Sequence, residues 1–232
     1  MNDCDTDEGA GQNLCSDISA VGVAARKRSR PTYGKRANMI AITPNDADIR
    51  AALRKKLTSI YGKHPETVVL DELGVCRGEV RVDVAVVNGE IHGYEIKSDR
   101  DSLRRLAGQI ELYSKVLDQA TLVVGERHFD AAAVLLPEWW GLLLVKPSNT
   151  GPCFEKVRSA RKNPSRDARA LVEFLWLEDS IALLEQHGLD WGVRSKPRRV
   201  IWDRICEGLD IEVIAAAVRA QLKARAIPPV RP

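Results

Sequence analysis

Between residues 80 and 97 two short apolar runs are joined by Asn88-Gly89, and each run carries charge where a core strand would carry none. In the first, Val80, Val82, Val84 and Val86 alternate with Arg81, Asp83, Ala85 and Val87, the two-residue period of a strand. The four valines are expected on one face and the other four residues on the opposite face. The second run, Ile91 to Lys97, places Glu95 and Lys97 two residues apart, hence on one face. Asn-Gly is the dipeptide that a tight type I′ hairpin turn favours, so the runs are expected to be antiparallel neighbours.

The flanking chain alternates strands and helices. Thr43-Pro44 and Asp46 open a helix in which Ile49, Leu53, Leu57 and Ile60 form one stripe, ending near Tyr61-Gly62. Thr67 to Leu70 reads as a further strand. After Lys97 come the N-cap candidates of Ser98-Asp99-Arg100-Asp101, then a helix to about Leu117 that buries Leu103, Leu106, Ile110 and Val116. Thr121 to Val124, Phe129 to Leu136 and Gly141 to Val145 read as strand, helix and strand, the order of a parallel crossover. Cys153 to Val157 is expected as an edge strand before the Arg161-Lys162-Asn163-Pro164 break. Residues 166–187, 198–207 and 210–225 read as three helices.

The expected organisation is therefore a flexible arm over 1–42, an α/β core over 43–160 and a helical extension over 161–232. The arm is acidic at its tip (Asp3, Asp5, Asp7, Glu8, Asp17) and basic from Arg26 to Arg36, a candidate for loose nucleic-acid contact. A net charge of +3 is too small to name a partner. Cys4, Cys15, Cys76, Cys153 and Cys206 form no CxxC pair, and His64, His92, His128 and His187 are dispersed, so neither a zinc site nor a disulfide framework is expected. No apolar run is long enough to span a bilayer, and the acidic start is unlike a secretory signal. No membrane partner and a cytoplasmic location are expected.

Asp83 lies inside an apolar strand, and a carboxylate there is costly unless paired, hydrogen-bonded or bound to metal. Asp83 and Glu95 brought together across a hairpin, with the Lys97 ammonium beside them, suit a hard divalent cation such as Mg2+. The alternative is a structural ion pair in which Lys97 neutralises one of the two acids. Gln109 and Tyr113 lie four apart on the next helix and face one way. Glu72, in Asp71-Glu72-Leu73-Gly74, is an upstream acid, with Glu79 as its rival.

In this order (Glu72, Arg81 to Asp83, Gly93 to Ser98, Gln109 to Tyr113) the chain resembles the PD-(D/E)XK, or restriction-endonuclease-like, nucleases. The likeness is to the QxxxY-bearing, RecB-like branch and to a bacterial sub-family of it. Val82 stands where the eponymous proline would precede Asp83. The resemblance implies a mixed central sheet flanked by helices. It implies Mg2+ or Mn2+ held by Asp83, Glu95 and the Ile96 carbonyl, with Lys97 positioning water or stabilising charge on the phosphate. Glu72 would orient a water or help with a second metal, and Gln109 and Tyr113 would contact metal-bound water or the phosphate backbone. Arg81 is expected as a structural partner of one of the acids.

The helical part carries more Lys and Arg than Asp and Glu. Arg194, Lys196, Arg198 and Arg199, near Trp191 and Trp202, join Arg81 as nucleic-acid-binding candidates. A solvated helix face with core tryptophans is the plainer alternative, and Trp139-Trp140 are expected to be packing residues. The expected function is a Mg2+-dependent nuclease acting on DNA. A nucleic-acid-binding or complex-assembly protein of the same fold without catalysis is the alternative. A small-molecule enzyme ranks last, since no Gly-rich phosphate loop is present.

Overall fold

The computed structural model describes residues 43–149 and 151–226, so the expected arm, including Arg26 to Arg36, lies outside the described residues. Helix α1, Asp46–Tyr61, is opened by Asn45. The Asn45 side chain accepts from the Asp48 amide at 3.0 Å, and Asp48 accepts from the Asn45 amide at 3.2 Å, satisfying two otherwise orphaned donors. Ile49, Leu53 and Leu57 are buried, while Ile60, in the last turn, is exposed.

Six strands follow: β1 Val68–Val75, β2 Val80–Val87, β3 Ile91–Lys97, β4 Gln119–Gly125, β5 Gly141–Lys146 and β6 Cys153–Arg158. They form one sheet in chain order. β1, β2 and β3 are antiparallel neighbours, β3–β4 and β4–β5 are parallel, and β6 returns antiparallel at the edge. The parallel steps are bridged by α2, Leu106–Val116, and α3, Phe129–Leu135. The protein is thus a mixed α/β sheet flanked by helices and followed by α4 Ala168–Val172, α5 Leu177–Gln186, α6 Arg198–Gly208 and α7 Ile211–Ala226. No helix among the described residues is long and apolar enough to cross a membrane.

Each sheet face has its own apolar cluster. α1 packs on Val84, Val86, Tyr94, Ile96, Val123 and Val145. The opposite face, with Ala85, Val87, Ile91 and Leu122, is covered by α2 and the C-terminal helices. The expected alternation along β2 therefore breaks, because Val80 and Val82 pack with Ala85 and Val87 rather than with Val84 and Val86. The ladder with β3 stops at Val84 opposite Tyr94, so the first half of β2 is paired with β1 alone and turns its side chains over at Asp83.

The hairpin also departs from expectation. Val87 pairs with Ile91, leaving three residues in the loop, and neither Asn88 nor Gly89 has the positive φ a type I′ turn requires. Instead the Asn88 side chain accepts from the Glu90 amide at 3.1 Å, a local bond that closes the longer loop. That loop lets Glu90 accept from Gln119 at the start of β4, at 2.7 Å.

The helix expected over 166–187 is two helices. Trp176 between them is extended, and Asp179 accepts from its amide at 3.0 Å, capping α5 afresh. The Arg161 to Pro164 break is no exposed boundary either. Asn163 is buried and donates to the Ser114 and Leu117 carbonyls, both at 2.7 Å. Arg166 pairs at 2.5 Å with Asp118, itself 2% exposed. The helices after residue 160 share one apolar cluster with the sheet.

His92, on β3, stacks on Tyr94 at 4.4 Å and shares a 2.8 Å hydrogen bond with Thr121 Oγ1. Burial pushes its pKa down to about 4. A base whose folded pKa is depressed gives stability that is present above its unfolded value, about 6.5, and lost as pH falls through the folded value. The fold is expected to lose up to about 3 kcal/mol between those limits from this group. Urea melts from pH 7 to pH 4 check it. An equal loss in His92→Gln would remove His92 as the cause.

Candidate active site

The parting of β2 from β3 leaves the Ile96 amide, on the β2 side of β3, without a ladder acceptor, and Asp83 Oδ2 takes that role at 2.7 Å. Arg50, from α1, donates to Asp83 Oδ1 at 2.7 Å and to the Asp83 carbonyl at 2.9 Å. Both carboxylate oxygens are thereby fixed. Burial holds the Asp83 carboxyl above its ordinary value, and the Ile96 amide and Arg50 draw it only partly back.

Glu95, 2% exposed, faces α2. Its Oε1 accepts from Gln109 Nε2 at 2.6 Å and from Lys97 Nζ, and its Oε2 lies 2.7 Å from the Tyr113 hydroxyl. Burial, reinforced by the charge of Asp83, raises its pKa against the pull of Lys97 and Tyr113. Tyr113 also reaches the Arg81 carbonyl at 2.5 Å. One hydroxyl carries one proton and cannot donate to both acceptors. Tyr113 therefore serves Glu95 and the Arg81 carbonyl one at a time. Burial and then the Glu95 charge raise the Tyr113 phenol, keeping it neutral.

These groups open on a cleft of about 830 Å³. Of the residues singled out from sequence, Glu72, Arg81, Asp83, Glu95, Ile96, Lys97 and Gln109 line it. Tyr113 does not. It is 1% exposed, stacked at 6.1 Å on buried Trp140, and supports Glu95 from behind. Glu72 holds a left-handed backbone (φ 53) in the middle of β1, a costly state for a non-glycine residue, and its side chain meets Arg50 at 2.6 Å. Glu79 lines the same cleft.

Arg81 does not pair with an acid as expected. Its side chain is exposed at the cleft with no ion pair among the described residues, and its carbonyl accepts from the Tyr113 hydroxyl. Arg50 takes the partner role, which sequence reasoning missed. The available signal was Asp46 and Arg50 four apart on the polar side of α1, and they pair at 3.3 Å. Also missed were Arg104 and Arg105, exposed at the cleft and without a carboxylate partner among the described residues. The C-terminal basic group lies elsewhere. Arg194 is neutralised by Asp190 at 2.6 Å and Glu185 at 2.8 Å, and Arg198 sits over Trp202 at 5.6 Å. Lys196 and Arg199 are exposed, and none of the four lines the cleft. Trp202 is a packing residue at 6% exposure, while Trp191 is 88% exposed.

Among the described residues no three His, Cys, Asp or Glu side chains gather into a ready-made metal cluster. Mg2+, however, is commonly held by one or two carboxylates, with water and substrate phosphate completing its shell. Asp83 and Glu95 are hard oxygen donors of that kind. Gln109 Oε1 beside them is a buried acceptor with no partner among the described residues, suited to a bound water. The residues present fit such an ion.

Fold and site together define a mixed α/β protein whose central strands split to gather two carboxylates, a lysine and an arginine in one cleft. The chain belongs to the bacteriophage P4 protein cII family, whose model matches residues 41–227. Protein cII of Enterobacteria phage P4 is 25% identical over 128 residues, which are 55% of this chain and 48% of that protein. The chain thus matches about half the length of that curated relative. Among solved structures, a protein of unknown function from Silicibacter pomeroyi is 25% identical over 68% of this chain and 93% of that one, with a TM-score of 0.35.

Proposed function

We propose that the chain is a metal-dependent nuclease of the PD-(D/E)XK kind, hydrolysing phosphodiester bonds in DNA in a cytoplasmic setting. The observation that supports this best is the convergence of Asp83, Glu95, Lys97 and Gln109 on one cleft whose rim carries Arg81, Arg104 and Arg105, cations without a carboxylate partner among the described residues. Asp83, Glu95 and the Ile96 carbonyl would hold Mg2+ or Mn2+, which when bound supplies Lewis acidity towards the phosphate and acidifies water.

The chain's own groups do the rest. Lys97, anchored on Glu95, stabilises negative charge as it develops on the phosphate. Gln109 Oε1 accepts a hydrogen bond from the attacking water and orients it. The water oxygen bonds to phosphorus as the bond to the leaving oxygen breaks; the attacking water gives up a proton to solvent, and the leaving oxygen takes one up from solvent. Arg81, Arg104 and Arg105 hold flanking phosphates, with Lys196 and Arg199 available to a longer strand. Removing Arg104 and Arg105 together should weaken DNA binding evenly across sequences and flatten the slope of log K against log salt by about 2. Fluorescence anisotropy at several salt concentrations reads this, and an unchanged slope would remove them from the binding surface.

The deciding experiment incubates the protein with circular and linear, single- and double-stranded DNA, and with RNA, in Mg2+, Mn2+ or EDTA. Cleavage that needs metal supports the proposal, and the substrate cut defines its mode. One observation favours a second reading, a nucleic-acid-binding or assembly protein without catalysis. Every oxygen of Asp83 and Glu95 already lies within hydrogen-bond distance of a group in the chain. DNA binding that persists in EDTA, with no cleavage under either ion, would decide for it.

A further inference from the structure

The guanidinium of Arg50 meets three carboxylates at once: Glu72 at 2.6 Å, Asp83 at 2.7 Å and Asp46 at 3.3 Å. Among the described residues no other side chain hydrogen-bonds or ion-pairs with Glu72 or with Oδ1 of Asp83. A second divalent cation beside Asp83 would need those same oxygens.

We propose that Arg50 is a positioning residue whose fixed positive charge takes the place of a second metal ion, so that the centre on Asp83 and Glu95 accepts a single divalent cation. The inference rests on the metal-dependent reading above. A guanidinium suits the role because it is planar, permanently charged and able to grip two acceptors along different directions. From α1 it fixes Asp83 through side chain and carbonyl together, so the carboxylate is aimed before any ion arrives. Glu72 then serves to hold Arg50 rather than to bind metal, a different role from help with a second ion. Its left-handed backbone turns it towards that partner.

The test is a Mn2+ titration of the full chain, with free Mn2+ followed by electron paramagnetic resonance. Wild type is expected to bind one ion per chain. Arg50→Lys, which keeps a charge, should also bind one. Arg50→Ala should bind two, and adding Glu72→Gln to it should return the count to one. Two ions in wild type would overturn the proposal while leaving the metal centre standing, and so would a folded Arg50→Ala that binds one. Should Arg50→Ala fail to fold, Glu72→Gln alone decides. Unchanged Mn2+ affinity supports the proposal, and a loss of about tenfold or more makes Glu72 a ligand and overturns it. No Mn2+ bound by wild type, and none by Asp83→Asn, is a separate result that removes the metal-dependent reading itself.

Discussion

Lys97→Met is expected to lower Mg2+-dependent DNA cleavage by at least about 10²–10³-fold, the usual cost of deleting one group that stabilises charge in the transition state. Methionine keeps most of the stem that Lys97 buries (its side chain is 7% exposed), so the variant separates loss of charge from loss of packing. What remains is Glu95 without its cation, in a site where burial and Asp83 already hold its pKa high. Losing the Lys97 cation raises that pKa further, so the carboxyl holds its proton more firmly and serves less well as a metal ligand. The sign of the stability change follows. A group with a raised folded pKa favours the fold below its unfolded value, about 4.3 for glutamate, and that advantage is lost as pH rises through the folded value. Lys97→Met should therefore match wild type most closely in acid and fall behind near neutrality. Single-turnover cleavage and urea melts, read at pH 5 and pH 7.5 on both proteins, check the two halves. Cleavage at the wild-type rate in a folded variant would take Lys97 out of the chemistry, whatever the melts show.

Local pattern carried much of what sequence could reveal. α1 and α2, the strands and the crossover through α3 are visible because periods of 3.6 and 2 are written in consecutive residues. Asp83, Glu95 and Lys97 stand out because charge inside an apolar strand demands a partner. What stayed hidden depends on contacts between distant segments. Arg50 meets Asp83 across 33 positions, and its i,i+4 pairing with Asp46 on α1 marks Arg50 without naming Asp83 as its partner. The β2 face switch at Asp83 arises from where the β3 ladder ends, and a regular run of valines hides it. Asn88-Gly89 favours one turn in isolation, yet Gln119 of β4 gives Glu90 a partner in another. Arg104 and Arg105, at the entry to α2, stand in no local pattern that marks them, and it is the fold that sets them on the cleft wall.

A chain ending at Ala160 is expected not to fold cooperatively, although composition places a boundary there. The helices beyond it insert Leu171, Val172, Leu184, Ile201, Ile205, Ile214 and Val218, all fully buried, into the cluster that contains Val82, Ala85 and Leu122 of the sheet. Burying each such side chain is worth about 1.5–3 kcal/mol, and together they match or outweigh the roughly 5–15 kcal/mol by which a domain is usually stable. Truncation would also expose the sheet face they cover and strip Asp118 of Arg166 and Arg219, leaving its carboxylate with the Ile91 amide as its partner. Far-UV circular dichroism in urea should show a sharp transition for the full chain and a shallow one for the truncated chain, which should also bind a hydrophobic dye. A sharp transition in the truncated chain would mean that the sheet with α1, α2 and α3 stands alone. The C-terminal helices would then be an attachment to the cleft-bearing core, and Asp118→Ala should disturb their docking without reaching Asp83 or Glu95.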